Sequence, residues 1–243
     1  MDRELTREHA ASRPPGHPIV PLLLLIAATT GLVDAVSVLG LGFVFCANMT
    51  GNIVFLGFAV AGTPGFDIAP HITALAGFAV GAIISGRVGK HHATRSRRRW
   101  LLTAACFEGG LLWLAALLVI GYRSMHQPVG ALLFITIGFV AVAMGFRNGT
   151  IRQLKVNDLT TTVLTMTLTG LFVDSHFAGG TNPNWQRRAL SVAAIFGGAS
   201  LGALMVRETG LSGPLFLAGL LVTVGTILAA LHPAWAYERS AAG

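Results

Sequence analysis

The chain has 243 residues, of which 53% are apolar and only 11% charged, against the roughly 25% charged residues of an ordinary soluble domain. That balance excludes a soluble protein, and no polar stretch is long enough for a large soluble catalytic domain; what is left is an integral membrane protein with several crossings. A formal net charge of +7 would suit nucleic acid on an exposed basic face, but the densest basic run, Arg87, Lys90, Arg95, Arg97, Arg98 and Arg99, lies in a short loop between apolar segments. Cytoplasmic loops collect Lys and Arg in this way, so the expected partner is the lipid bilayer, with anionic headgroups at this loop, and not nucleic acid.

Taken in chain order, residues 1–17 form a mixed-charge N-terminal tail. The apolar run after it outlasts a signal-peptide core and no small-residue cleavage site follows, so Pro21 to Leu39 reads as a retained first helix. Eight apolar segments can be marked: 18–39, 43–61, 68–86, 100–121, 128–147, 159–173, 189–206 and 211–231. They divide into a first membrane repeat, 18–121, a second, 128–231, and a C-terminal tail, 232–243. At a spacing of about 114 to 115 residues, Gly31-Leu-Val-Asp34 lies over Gly145-Phe-Arg-Asn148 and Thr50-Gly51-Asn52 over Thr165-Met166-Thr167, the internal duplication common among transport folds.

If the second segment of each half dips into the membrane and returns, six crossings remain and both termini share the cytoplasmic side with the 87–99 loop. Of the 17 Lys and Arg residues, only Arg123 and Arg207 then face outward. Eight crossings divide them far more evenly, and the positive-inside rule prefers six. Three crossings per half also invert the second half relative to the first. The expected fold is all-α, with about six transmembrane helices plus two re-entrant or broken segments in an inverted internal repeat. Segment 43–61 is apolar enough to cross as a straight helix, which leaves a seven-crossing form open; segment 159–173, about 22 Å long as a helix, is interrupted by Thr160, Thr161, Thr162, Thr165, Thr167 and Thr169. Trp100, Trp185, Trp235, Tyr122 and Tyr237 fall at segment ends, the usual place for interfacial aromatics.

Polar groups are expensive in the middle of an apolar segment and must be satisfied by protein or by water in a cavity. Asn48-Met-Thr50-Gly51-Asn52 is such a group. Gly51 would permit a break between two short helices whose free backbone groups, with Asn48 and Asn52, hold a solute or ion; the plainer reading is that these residues glue helices together. The candidate substrate site joins Asn48, Thr50, Gly51 and Asn52 to Thr161, Thr162, Thr165 and Thr167 of the counterpart segment. The candidate coupling residues are Asp34, His71, Glu108 and Arg147. Counted from the cytoplasmic ends, Asp34 lies about 24 Å in, Glu108 about 12 Å, and Arg147 near the face, so Asp34 and Arg147 are not expected to pair. His71 enters from outside to a depth near that of Asp34, and the two could pass protons, although a His so near an interface is more often simply solvated. Arg147 can reach toward Glu108, as a structural pair or as a coupled one. Gly77 with Gly81, and Gly198 with Gly202, have the small-xxx-small spacing of close helix packing, within one subunit or, second, in a homo-oligomer. Cys46 and Cys106 lie in apolar segments without metal-ligand or disulfide spacing and read as buried apolar residues; no cofactor, metal or catalytic residue is expected.

Gly31-Leu-Val-Asp34-Ala-Val-Ser37, Phe45-Cys-Ala-Asn48-Met-Thr-Gly51-Asn52, Met144-Gly145-Phe-Arg147-Asn148-Gly-Thr150 and Thr160-Thr-Thr162-Val-Leu-Thr165 resemble the YoaK family of multipass bacterial membrane proteins, from residue 20 to residue 232. The resemblance implies a multipass protein of the bacterial inner membrane and supplies neither activity nor substrate. Arg147 stands where the family more often has a polar uncharged residue, so the resemblance lends it no role. The expected function is a small-solute transporter or channel with a central polar site between two broken segments. The alternatives are a membrane-embedded enzyme, for which Ser37, Asp34 and His71 are the one acid, base and hydroxyl trio at a common depth and no HExxH or GxSxG occurs, or a structural or accessory membrane protein.

Overall fold

Where lipid replaces water, a backbone can satisfy its own N–H and C=O groups only as a helix or a closed barrel, and long runs of Leu, Ile, Val, Ala and Phe therefore become helices. The structure, a computed structural model, describes residues 18–92, 97–122, 130–154 and 164–232. Its helices are α1 (Ile19–Gly40), α2 (Met49–Val60), α3 (Ile68–His92), α4 (Arg97–Leu118), α5 (Ala131–Leu154), α6 (Leu164–Val173), α7 (Trp185–Thr209) and α8 (Ser212–Leu231), with a short 3-10 turn, His176–Ala178, after α6. All but α2 and α6 are long and apolar enough to cross a membrane, and among the described residues there is no strand. The protein is an all-α integral membrane protein. Three of the spans, α1, α3 and α8, carry proline at their third position (Pro21, Pro70, Pro214), where a missing N–H costs no intrahelical bond.

The directions of the spans follow from which residues touch. Ala28 of α1 meets Gly198 of α7 and Ala35 meets Gly202, so these two helices run parallel. Gly77, Gly81 and Gly89 of α3 meet Gly138 with Ala141, Val142 with Phe146, and Gln153 of α5 in rising order, so this pair is parallel too. Gly109 of α4 faces Thr223 of α8 while Trp113 faces Gly219, an antiparallel pair. Gly40, Tyr122 and Leu211 come together at one end, where the Leu211 N–H donates to the Tyr122 carbonyl. Thus α1, α4 and α7 run toward the Gly40 end, and α3, α5 and α8 run toward the Ile19 end.

Close packing explains the glycines. Gly31 presses on the backbone at Ile195, and Gly145, which aligns with it between the halves, presses on the backbone at Phe78. Gly198 meets the carbonyl of Ala28, and Gly81 meets that of Val142. The same contact is made twice, each time between the first helix of one half and the third helix of the other. A side chain at any of these four sites would overlap main-chain atoms, which cannot move aside as a rotamer can. Gly77, Gly81, Gly198 and Gly202 are therefore used inside the chain. α1 and α5 form the centre, whereas α3 and α7 turn wide apolar faces outward, with Ile83, Phe196 and Leu204 exposed as lipid-facing residues should be.

Segment 43–61 does not cross as a straight helix. After α1 the chain breaks into a non-helical arm, residues 41–48, and resumes helix only at Met49. Phe55 of α2 then packs tilted against Phe66 and Phe58 meets it edge-on, and Phe55 lies edge-on to His71 in the first turn of α3. The arm descends beside α1 and α2 climbs back to the Gly40 end. Expected segment 128–147 is also longer than its apolar run: α5 continues to Leu154, so Arg147 sits about two turns inside the helix, ~10 Å from its end, and not at the face.

Candidate functional site

The break after α1 is made by Gly42 and Phe43, with φ of 83° and 58°. These left-handed backbones turn the arm back alongside its own helix. Gly51, expected to carry the break, lies in the first turn of α2 with the Phe45 ring against it. The arm is then held by Asn52, which is fully buried. Its Oδ1 accepts from the Phe45 N–H at 2.8 Å and its Nδ2 donates to the Phe45 carbonyl at 2.5 Å, so one side-chain amide replaces the backbone partners that Phe45 lost when the helix ended. Asn48, at the start of α2, donates from Nδ2 to Asp34 Oδ2 at 2.5 Å. From α5, Asn148 donates to the carbonyl of Ala47 at 3.3 Å. Asp34 and Asn148 align between the halves, and they hold neighbouring residues of the arm, Asn48 and Ala47.

Asp34 is 9% exposed, and its Oδ1 is buried without a hydrogen-bond partner. One turn earlier on α1, Thr30 accepts from Arg147 Nη1 at 2.9 Å, and Nη1 also reaches the Ile26 carbonyl at 3.3 Å. Arg147 Nε donates to Glu108 Oε1 at 2.8 Å, and Nη2 pairs with the same oxygen. All of Glu108, Arg147 and Thr30 are buried. This ion pair adjoins a cavity of about 30 Å³ toward the Ile19 end, lined by Glu108, Arg147, Thr150 and Thr226 and otherwise by apolar side chains such as Leu23 and Leu101. Room for a water or two is present, beside the polar groups of Glu108, Arg147, Thr150 and Thr226.

The remaining sequence candidates are more dispersed. Asp34 and His71 share no hydrogen bond: His71 Nδ1 is bonded to the Asp67 carbonyl at 2.7 Å, and its buried Nε2 has no partner. Ser37 donates to the Val33 carbonyl within its own helix at 2.8 Å, so Ser37, Asp34 and His71 do not form a relay here. Thr50 is exposed. On α6, which packs on α7, Thr165 is exposed and Thr167 half-buried; Thr161 and Thr162 lie outside the described residues. No hydrogen bond among the described residues joins Thr165 or Thr167 to the 48–52 cluster. Cys46 is buried within the arm, but Cys106 is exposed on α4, where it faces lipid instead of the interior expected for it. Trp100, expected at the interface, is 8% exposed and packs with Ile19, Leu22 and Leu23. No cluster of three or more His, Cys, Asp or Glu able to hold a metal occurs among the described residues.

Three participants escaped the sequence reading as site residues: Thr30, the Ala47 carbonyl and Asn148. Only Asn148 left a signal, because the repeat alignment sets it over Asp34.

Residues 22–228 match the family described as "Protein of unknown function (DUF1275)". The chain is also 36% identical over 157 residues to "UPF0700 transmembrane protein YoaK" of Bacillus subtilis (strain 168), an alignment covering 63% of this chain and 65% of that protein. No solved structure matches.

Proposed function

Because the chain belongs to the DUF1275 family, whose description assigns no activity, its function must be argued from its buried polar groups, and we propose that it is a small-solute transporter or channel. The observation that carries this reading is the broken segment: an arm and a half-helix, residues 41–60, enter from the Gly40 end and bring Asn48 and Asn52 against Asp34 inside the bundle. Helix is interrupted in a membrane where the freed backbone is buried in protein or lines a water-filled cavity, and transporters place their binding sites at such breaks. Two further observations support it. The second half repeats the glycine contacts of the first with its helices running the opposite way, as an inverted repeat would. The described part of the counterpart segment, α6, is likewise a short apolar helix of 10 residues.

In this reading Asn48, Thr50, Gly51 and Asn52 bind solute from one side of a pseudo-two-fold axis. Thr161, Thr162, Thr165 and Thr167 approach from the other as the halves rock, and the Arg147–Glu108 pair closes the path toward the Ile19 end. The basic residues set both termini on the cytoplasmic side of a bacterial inner membrane. Flux of a panel of small ions and neutral solutes into proteoliposomes tests the proposal: at least one should enter faster than in protein-free vesicles and lose that advantage in Asn52→Ala. A folded, correctly inserted protein that moves none of them would favour a structural or accessory role.

A further inference from the structure

Among the described residues, Asp34, Glu108 and Arg147 are the buried Asp, Glu, Lys and Arg side chains, and Arg87 of α3 is exposed. Two carboxylates thus share one guanidinium, and the geometry shows which one has it. Arg147 commits Nε and Nη2 to Glu108, and Nη1 to Thr30 and the Ile26 carbonyl. Asp34 meets neutral donors only, the Asn48 amide and the nearby Ala47 N–H, while its Oδ1 is buried with no partner. The other neighbours supply no countercharge. The arm brings the Cys46 thiol and α5 brings Arg147, already engaged. α8 has no ionisable residue, and those of α7 are Arg187, Arg188, Arg207 and Glu208 at its two ends. α3 contributes His71, bonded to Asp67 and edge-on to Phe55, and holds Arg87, Lys90, His91 and His92 toward its far end; α4 contributes Glu108, with the exposed Cys106 and with Arg97, Arg98 and Arg99 in its first turn at that same far end. A lone carboxylate charge in the bilayer interior costs far more than a neutral acid group lacking one hydrogen bond.

We propose that Asp34 is a proton-binding site, protonated in the state described here, and that the solute path exchanges this proton as it works. The proposal rests on the transport reading and deepens it, making the protein a proton-coupled carrier. A metal cation fits less well, because it needs several oxygens converging on it at once. Asn48 turns its Nδ2, not its oxygen, toward Asp34, and Asp34 is not among the residues lining the cavity beside Arg147. The buried trio Asp34, Glu108 and Arg147 is neutral with the proton bound and carries one negative charge without it. Releasing the proton therefore sets Asp34 against Glu108 for the Arg147 guanidinium, one turn away along α1 through Thr30. That competition would loosen the Glu108 pair that closes the path toward the Ile19 end.

Infrared spectroscopy of the full chain in lipid vesicles tests this without any solute. At neutral pH the wild type should show the carbonyl stretch of a protonated, buried carboxyl, and Asp34→Asn should remove it. Glu108→Gln should remove it as well, since Arg147 is then free to serve Asp34, whereas a merely structural Glu108 would leave it unmoved. Asp34→Glu should shift the band without abolishing it, which keeps the test open if Asp34→Asn does not fold. A band that survives in Asp34→Asn, ignores Glu108→Gln, or disappears on adding NaCl at constant pH would overturn the proposal. A pH-sensitive dye trapped in the same vesicles separates the two readings. The band without proton or solute flux would sink transport but leave the proton site standing, and flux without the band would sink the proton site alone.

Discussion

Asn52→Ala removes both hydrogen bonds that hold the arm. The Phe45 N–H and carbonyl would each lose a buried partner, made at 2.8 and 2.5 Å, and an orphaned buried polar group costs about 1–3 kcal/mol. Together they weaken the closed arm by about 2–6 kcal/mol. Opening exposes Cys46, which is fully buried next to Phe45. In a Cys106→Ala background, which silences the lipid-facing thiol, the rate of maleimide labelling at Cys46 should rise at least about thirtyfold, the low end of that range at tenfold per 1.4 kcal/mol. Thr73→Ala is the control, because its hydroxyl makes an equally short bond, 2.8 Å, on an exposed helix face. Labelling of Cys46 in Asn52→Ala no faster than in Thr73→Ala would show that Asn52 does not secure the arm, and the reasoning about the break would be wrong.

Gly81→Ala and Gly198→Ala should each destabilise the detergent-solubilised protein by about 1–3 kcal/mol in thermal unfolding, because the new Cβ meets main chain of α5 or α1. Gly86→Ala and Gly197→Ala, which open onto empty space, should instead gain up to ~1 kcal/mol from helix propensity. Arg147→Met strands the buried Glu108 and should cost about 3–5 kcal/mol, and adding Glu108→Leu should recover most of it; equal melting points for single and double variants would deny that the charges depend on each other. Single cysteines at Lys90 and Arg207, near opposite ends of the bundle, should label with impermeant reagent from opposite sides, with Lys90→Cys reacting from the cytoplasm.

Spans were legible because an apolar run of membrane length has one good conformation. The break was not, and the reason is local. Gly51 advertised flexibility, whereas the turn was made by Gly42 with Phe43, a bulky apolar residue at positive φ that nothing in a hydropathy profile distinguishes from its neighbours. Arg147 was placed too near the surface because the apolar run stops at Phe146. The helix goes on since Thr150 and Gln153 find partners in Ser85 of α3, polar contacts invisible without knowing that α3 and α5 are neighbours. The partner of Asp34 was hidden in the same way: Asn48 is 14 residues away, and only the turned arm brings it back. Glu108 with Arg147 was legible as an option, since each needed an opposite charge and few were available.

The exchange of partners between the halves has a consequence for the order of synthesis. α1 is made before the other described spans and is mostly buried, yet the helix that covers Gly31 is α7, starting at Trp185. At about 5–20 residues per second, that cover arrives on the order of ten seconds after α1 has left the ribosome. Until then the newborn first half holds a glycine groove and a carboxyl group toward whatever surrounds it, lipid or the insertion machinery. Neither half owns a finished interior. A ribosome stalled after α4 would leave a fragment fit for degradation, and the protein becomes durable only when its last two helices thread into place.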